Sequence, residues 1–288
     1  MRGRRCRTQP HPVRHRRRRL PTASIHGRAK PMTIPSLQLP ARYYRTYPVQ
    51  APLGYVEETL DLDLRRTAFL LVDVNGLGFD GDDPQPAPGL PPLYADQAKA
   101  SHRIVLDHIA PAKRAAVQAG IPIVYLSNHL SPTLNEHSEW RNLSLRVHNI
   151  DVLQSWQEPN DILAYSEVIA PQPGDFLVKK QLYSGFFETQ LDSLLRSLDI
   201  YNLITVGFDS RICLHTTVID AMYRNYRVTV LRDAIGTSPL ANGDDAETDD
   251  GKWADADAVR FIETNVGYTA TSQQWIAACE AHVPGMPA

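Results

Sequence analysis

Thr67-Ala-Phe-Leu-Leu-Val-Asp73 is an unbroken apolar run that ends on an acid. It lacks the period-two alternation of a half-solvated strand, so it reads as a strand buried on both faces. Such strands occur where helices cover both sides of a parallel sheet. Further along, the chain repeats the pattern. A helical stretch lies around His102–Ala119, closed by Gly120, with Pro111 either kinking it or starting a second helix. Ile121–Leu126 reads as the second strand and Phe176–Val178 as the third, with a long polar lid or loop over 128–172 between them. Leu191, Leu194, Leu195 and Leu198 recur at helical intervals behind Thr189 and Asp192, which have the spacing of a capping box. Leu203–Val206 and Arg227–Leu231 are the next strands, around a helix over 213–225. A helix near Ala254–Thr264, a short strand at Tyr268–Ala270 and a helix at Ser272–Ala281 complete the order. Strands alternating with helices define an α/β fold, a three-layer doubly wound parallel sheet.

Composition is consistent with this. With 43% hydrophobic and 22% charged residues, the chain is neither a disordered polymer nor a collagen-like repeat. No stretch reaches the ~18 uninterrupted apolar residues of a spanning helix, which argues against an integral membrane protein. Three cysteines (Cys6, Cys213, Cys279) are too few for a disulfide framework, and a cytoplasmic setting is expected.

The formal charge of −2 averages two unlike parts. Residues 1–31 hold ten Arg, one Lys and no acid, which leaves residues 32–288 with a formal −13. The basic leader is too poor in apolar residues to fold. Met32 is read as the start of the protein proper, with residues 1–31 an over-extended reading frame; a targeting or nucleic-acid-binding tail is the alternative. On this reading nucleic acid is not a partner. Residues 32–60 are Pro-rich and read as an irregular arm, and 61–288 as the catalytic domain.

Ligands of doubly wound sheets sit outside the carboxyl ends of the strands. Three reactive side chains fall at that edge: Asp73 after the first strand, Lys180 just past the third, and Cys213 after the fourth at a strand-to-helix turn. A cysteine at a helix N-terminus gains thiolate character. A carboxylate beside it can take its proton and an ammonium can stabilise the anion, the pattern of an activated nucleophile.

At these residues the sequence resembles the isochorismatase-like cysteine hydrolases, over roughly 65–285. The resemblance rests on Leu70-Leu-Val-Asp73-Val-Asn75, on Lys180-Gln-Leu-Tyr183-Ser-Gly-Phe-Phe187, on Gly207-Phe-Asp209-Ser210-Arg-Ile-Cys213-Leu, and on Arg227-Val-Thr-Val-Leu-Arg-Asp233-Ala. Pro171–Asp175, Tyr183–Thr189 and Leu191–Ser197 are most like members that act on ureidoacrylate. The resemblance implies an Asp73, Lys180 and Cys213 triad. It also implies a cis peptide at Phe208–Asp209 that aims the backbone N–H groups of Asp209 and Cys213 into an oxyanion hole. Asn75, Asn128 and Tyr183 are the implied substrate contacts. The implied reaction is cleavage of an amide or ureido (carbamoyl) C–N bond through a thioester, without a cofactor, by a homo-oligomer.

Biuret, an N-carbamoyl compound or a secondary-metabolite amide are alternative substrates, and a non-catalytic binding protein is the alternative class. Asp209 and Ser210 stand where the family has Ala and Thr, so Asp209 is expected to point away or to meet Arg211. Metal-binding members use an Asp-x-His…His arrangement. Here Ser127-Asn128-His129 and His137 lack the acid and the spacing, so no metal is expected.

Overall fold

The structure is a computed structural model that describes residues 36–51, 53–75, 93–129, 136–149, 151, 153, 165–237 and 252–282. The basic leader, nearly all of the Gly78–Leu93 insertion and much of the 128–172 stretch lie outside the described residues.

Eight strands form one sheet: β1 (Ser36–Arg45), β2 (Gly54–Asp63), β3 (Thr67–Val72), β4 (Ile123–Asn128), β5 (Phe176–Lys180), β6 (Asn202–Phe208), β7 (Arg227–Gly236) and β8 (Tyr268–Ala270), in the spatial order β2-β1-β8-β7-β6-β3-β4-β5. Strands β3 to β8 run parallel to one another. The chain winds from β3 outward through β4 to β5, then returns to β6 on the other side of β3. The carboxyl ends of β3 and β6 therefore flank the point where the winding reverses, the place such sheets use for ligands.

Helices cover both faces. On one lie α1 (Leu93–Ile104), a π-helical turn at Val105–Ile109, α2 (Ala110–Gln118) and α7 (Ser272–His282), packed on Phe69, Leu71, Tyr125 and Ile204. On the other lie α4 (Leu191–Ser197), α5 (Cys213–Tyr223) and α6 (Lys252–Asn265), packed on Leu70, Val72, Val124 and Leu203. A further helix, α3 (Glu139–His148), belongs to the stretch after β4. Every residue of β3, β4 and β6 is buried, as the unalternating runs require. Each large apolar side chain so enclosed contributes about 1.5–3 kcal/mol.

Three expectations are decided by the structure. The described residues of 32–60 do not form an irregular arm: β1 and β2 are ten-residue strands of an antiparallel hairpin, and β1 also pairs with β8 at Arg42↔Thr269. The cause is a period-two pattern hidden by prolines, with Leu37, Leu39 and Ala41 of β1 and Leu60 and Leu62 of β2 buried in the first core. Pro48 lies in the connection after a cis Tyr47–Pro48 bond, and Pro40 stands just ahead of Arg42, the β1 residue that meets β8. Second, of the two readings of Pro111 the start of a second helix is the one observed. The Ala110 N–H reaches back to the Val105 carbonyl, and Pro111 stands in the first turn of α2, where its missing N–H costs nothing. Third, the capping box does not form. Thr189 Oγ1 accepts from the Leu191 N–H at 3.1 Å, but Asp192 is taken instead by the Tyr226 hydroxyl at 2.8 Å.

One glycine fixes how closely β6 approaches β3. Gly207 has φ +117°, and a Cβ there would stand 2.1 Å from the Val72 carbonyl oxygen. Backbone cannot yield by that much. Gly207→Ala is expected to cost about 3 kcal/mol or more, from strain at the positive φ and from overpacking. A denaturant midpoint close to that of the parent would contradict this.

Candidate active site

The ends of β3, β4, β5 and β6 converge on one buried cluster. β3 delivers Asp73, whose backbone enters the left-handed region (φ +47°) and whose N–H bonds the Leu126 carbonyl at 3.0 Å. β5 ends on Lys180, whose side chain is fully buried. Its Nζ lies 2.8 Å from Asp73 Oδ2, donates to the Leu182 carbonyl at 3.2 Å, and donates to Asn128 Oδ1 at the end of β4. Asp73 Oδ1 is buried and has no hydrogen-bond partner among the described residues.

Cys213 opens α5 and is only 6% exposed. It interacts with both Asp73 and Lys180 through charge and hydrogen bonding. Burial pushes its thiol up; Lys180 pulls it down, and Asp73 pushes it up further, so the thiol stays protonated at neutral pH. Desolvation is the largest of these influences and opposes the thiolate character that the helix N-terminus lends. Burial disfavours the charged form of Lys180, yet Asp73 and Cys213 more than offset it and hold the amine above its ordinary value.

The turn after Lys180 is fastened to the cysteine's helix. Ser184 Oγ donates to Asp220, the Gly185 N–H donates to Thr217 Oγ1 at 2.9 Å, and the Phe186 N–H donates to Ser184 Oγ at 3.1 Å. Sequence reasoning missed Thr217 and Asp220. Their spacing from Cys213, one and two turns along one face of α5, was the available signal.

The peptide between Phe208 and Asp209 is cis, as the resemblance implied. Asp209 does not pair with the Arg211 guanidinium. Its Oδ1 accepts from the Arg211 backbone N–H at 2.9 Å and from the Thr237 hydroxyl at 2.6 Å, while the guanidinium lies over the Trp253 ring. Ser210 is fully buried and donates to Asp255 Oδ1 at 2.5 Å.

Of the implied substrate contacts, Asn128 is buried and its amide oxygen is spent on Lys180, so it holds the amine in place. Asn75 is buried, bridges Tyr165 through its backbone, and leaves Oδ1 without a partner among the described residues. Val74, between it and Asp73, packs into the first core. Tyr183 is half-buried with its ring edge-on to Trp140 at 5.6 Å. His129 donates its backbone N–H to the Lys180 carbonyl, and His137 is exposed. Among the described residues no group of three or more His, Cys, Asp or Glu is placed to hold a metal ion. No helix among them is long and apolar enough to cross a membrane.

A doubly wound sheet with an acid, an amine and a thiol at its reversal point has the architecture of the isochorismatase-like hydrolases. A cysteine hydrolase from Pseudomonas syringae pv. phaseolicola superposes with a TM-score of 0.64 at 24% identity, over 77% of this chain and 95% of that one. The Isochorismatase domain family model matches residues 93–257. The chain belongs to the isochorismatase family. Among curated proteins it is similar to the ureidoacrylate amidohydrolase RutB of Methylobacterium radiotolerans, 29% identical over 215 residues, which covers 66% of this chain and 80% of that one. It is also similar to a protein of the same name from Methylorubrum extorquens, 32% identical over 189 residues, covering 62% of this chain and 69% of that one.

Proposed function

We propose that this chain is a cysteine-dependent amidohydrolase that cleaves the ureido (carbamoyl) C–N bond of a ureidoacrylate-like substrate. At the coarser level it is an isochorismatase-family hydrolase acting on a non-peptide C–N bond. The observation that carries the reading is the buried Asp73–Lys180 ion pair in contact with the Cys213 thiol. Two relatives bearing the name ureidoacrylate amidohydrolase support the substrate class.

The chemistry begins from a neutral thiol. Asp73, whose Oδ1 is unclaimed, takes the proton as sulfur attacks the carbamoyl carbon. Lys180 stays charged and offsets the negative charge passing from carboxylate to sulfur. The N–H groups of Asp209 and Cys213 hold the oxyanion, each worth about 3–4 kcal/mol in comparable sites. The first residue of a helix has no earlier turn to bond, so the Cys213 N–H suits that role. The C–N bond then breaks, and Asp73 returns its proton to the leaving nitrogen. Water cleaves the thioester and restores the thiol.

The unpartnered Asn75 Oδ1 is a buried acceptor two residues along the chain from Asp73, suited to a substrate that carries N–H. Asn75→Leu is expected to lower kcat/KM about 10- to 100-fold, the cost of losing one buried polar contact. Wild-type kinetics in that variant would remove Asn75 from the site.

Ammonia release from ureidoacrylate, biuret and N-carbamoyl amino acids tests the reading as a whole. Ureidoacrylate is expected to be turned over fastest. Faster turnover of another compound would reassign the substrate, and no turnover of any would favour a binding protein.

A further inference from the structure

The nucleophile turn carries two residues that depart from the family's usual Ala-Thr, and each is hydrogen-bonded to a residue that lies beyond β7 in the chain. We propose that the Asp209 carboxylate is a positioning residue, which together with Thr237 holds the oxyanion-hole peptides in register. The proposal rests on the acyl-transfer reading above.

The turn's own N–H donors divide between two kinds of acceptor. The Ser210 N–H goes to the Gly236 carbonyl at 2.9 Å, and the Ile212 and Leu214 N–H groups go to the Asp209 carbonyl at 3.1 and 3.0 Å. The Arg211 N–H goes to a side chain, Asp209 Oδ1, which also takes the Thr237 hydroxyl. With alanine at 209, both donors would lose that acceptor and the turn would be free to rotate. The second strut is Ser210 Oγ to Asp255 Oδ1 in the first turn of α6. Thr237 directly follows β7 and Asp255 lies near the start of α6, so the turn is tied on both sides. The Asp209 side chain acts through the peptide it orients, with no proton to give or take in the reaction.

Acceptor and charge are separable, because asparagine keeps Oδ1 and loses the charge. The test is steady-state hydrolysis of the best carbamoyl substrate by Asp209→Ala, Asp209→Asn and Thr237→Val, with pH–rate profiles and thermal midpoints. Asp209→Ala is expected to lower kcat about 10- to 100-fold with little change in KM, as a small misplacement of oxyanion donors does. Thr237→Val should lower it in the same direction by less. Asp209→Asn should recover most of the loss. The midpoints of the pH–rate profile should not move, because Asp73, Lys180 and Cys213 are untouched.

Asp209→Asn as impaired as Asp209→Ala, or a shifted profile, would mean that charge matters instead and would overturn the proposal. So would undiminished kcat in Asp209→Ala. If Asp209→Ala does not fold, Thr237→Val and Asp209→Asn still decide: undiminished kcat in the first or a full loss in the second overturns it. Absence of turnover by the parent protein on every carbamoyl substrate would instead remove the acyl-transfer reading, and this inference with it.

Discussion

Cys213→Ser is expected to remove at least about 10⁴-fold of turnover while leaving the fold in place. A hydroxyl is a far weaker acid than a thiol, and Asp73 is a weak base for it. The substitution changes one atom at a site that is 6% exposed, so the loss of stability should stay within about 1–2 kcal/mol. Circular dichroism and the thermal midpoint check the fold, and ammonia release checks the chemistry. Near-parent turnover in a well-folded Cys213→Ala protein would remove sulfur from the mechanism. Cys279 provides the internal control. It is also buried, its thiol is pushed up to about 12 chiefly by burial, and no carboxylate–ammonium pair among the described residues faces it. Its replacement by alanine should leave turnover intact.

Lys180→Met is the second large effect, and it acts on stability and activity together. The ammonium is fully buried and serves three acceptors: Asp73, Asn128 and the Leu182 carbonyl. Methionine fills the volume but leaves the Asp73 carboxylate buried without its counter-charge, which costs about 3–5 kcal/mol. For a chain of this size that corresponds to a fall in the thermal midpoint of about 10 °C. Activity should fall at least about 10³-fold, because the charge that balances the attacking sulfur is gone.

A second substitution separates this cause from simple misfolding. Asp73→Asn combined with Lys180→Met should restore much of the stability and none of the turnover. A double variant no more stable than Lys180→Met would show that the ion pair is not what the lysine supports.

The residues that make the site were legible because buried parallel strands advertise themselves. Thr67–Val72, Ile123–Asn128 and Asn202–Phe208 are largely continuous apolar runs, and the residues just beyond their carboxyl ends must lie at one edge of the sheet. Strand order alone therefore brings Asp73, Lys180 and Cys213 to that edge. Their charge state was not legible. A thiol at a helix N-terminus reads as activated, and only the depth of burial shows that desolvation dominates.

The hairpin was missed for a different reason. Its alternation is carried by few apolar residues, Leu37, Leu39, Leu60 and Leu62, among prolines that favour irregular structure. The partner that makes those residues worth burying, α7 with Trp275, lies more than 200 residues away in the chain. The partners of Asp209 were missed likewise, because Thr237 is 28 residues downstream and nothing local announces it.

The hairpin bears on where the protein tolerates trimming. β8 is three residues long, and β1 lies along its outer side, with β2 beyond. Shortening the chain to begin at Thr67 would leave β8 as a raw sheet margin with unpaired amide and carbonyl groups, above a core stripped of Leu37, Leu39, Leu60 and Leu62. Such a margin is a template for intermolecular strand addition, and the product would be lost to aggregation. The proline-rich segment that reads as an irregular arm is therefore what keeps this sheet from growing into its neighbours.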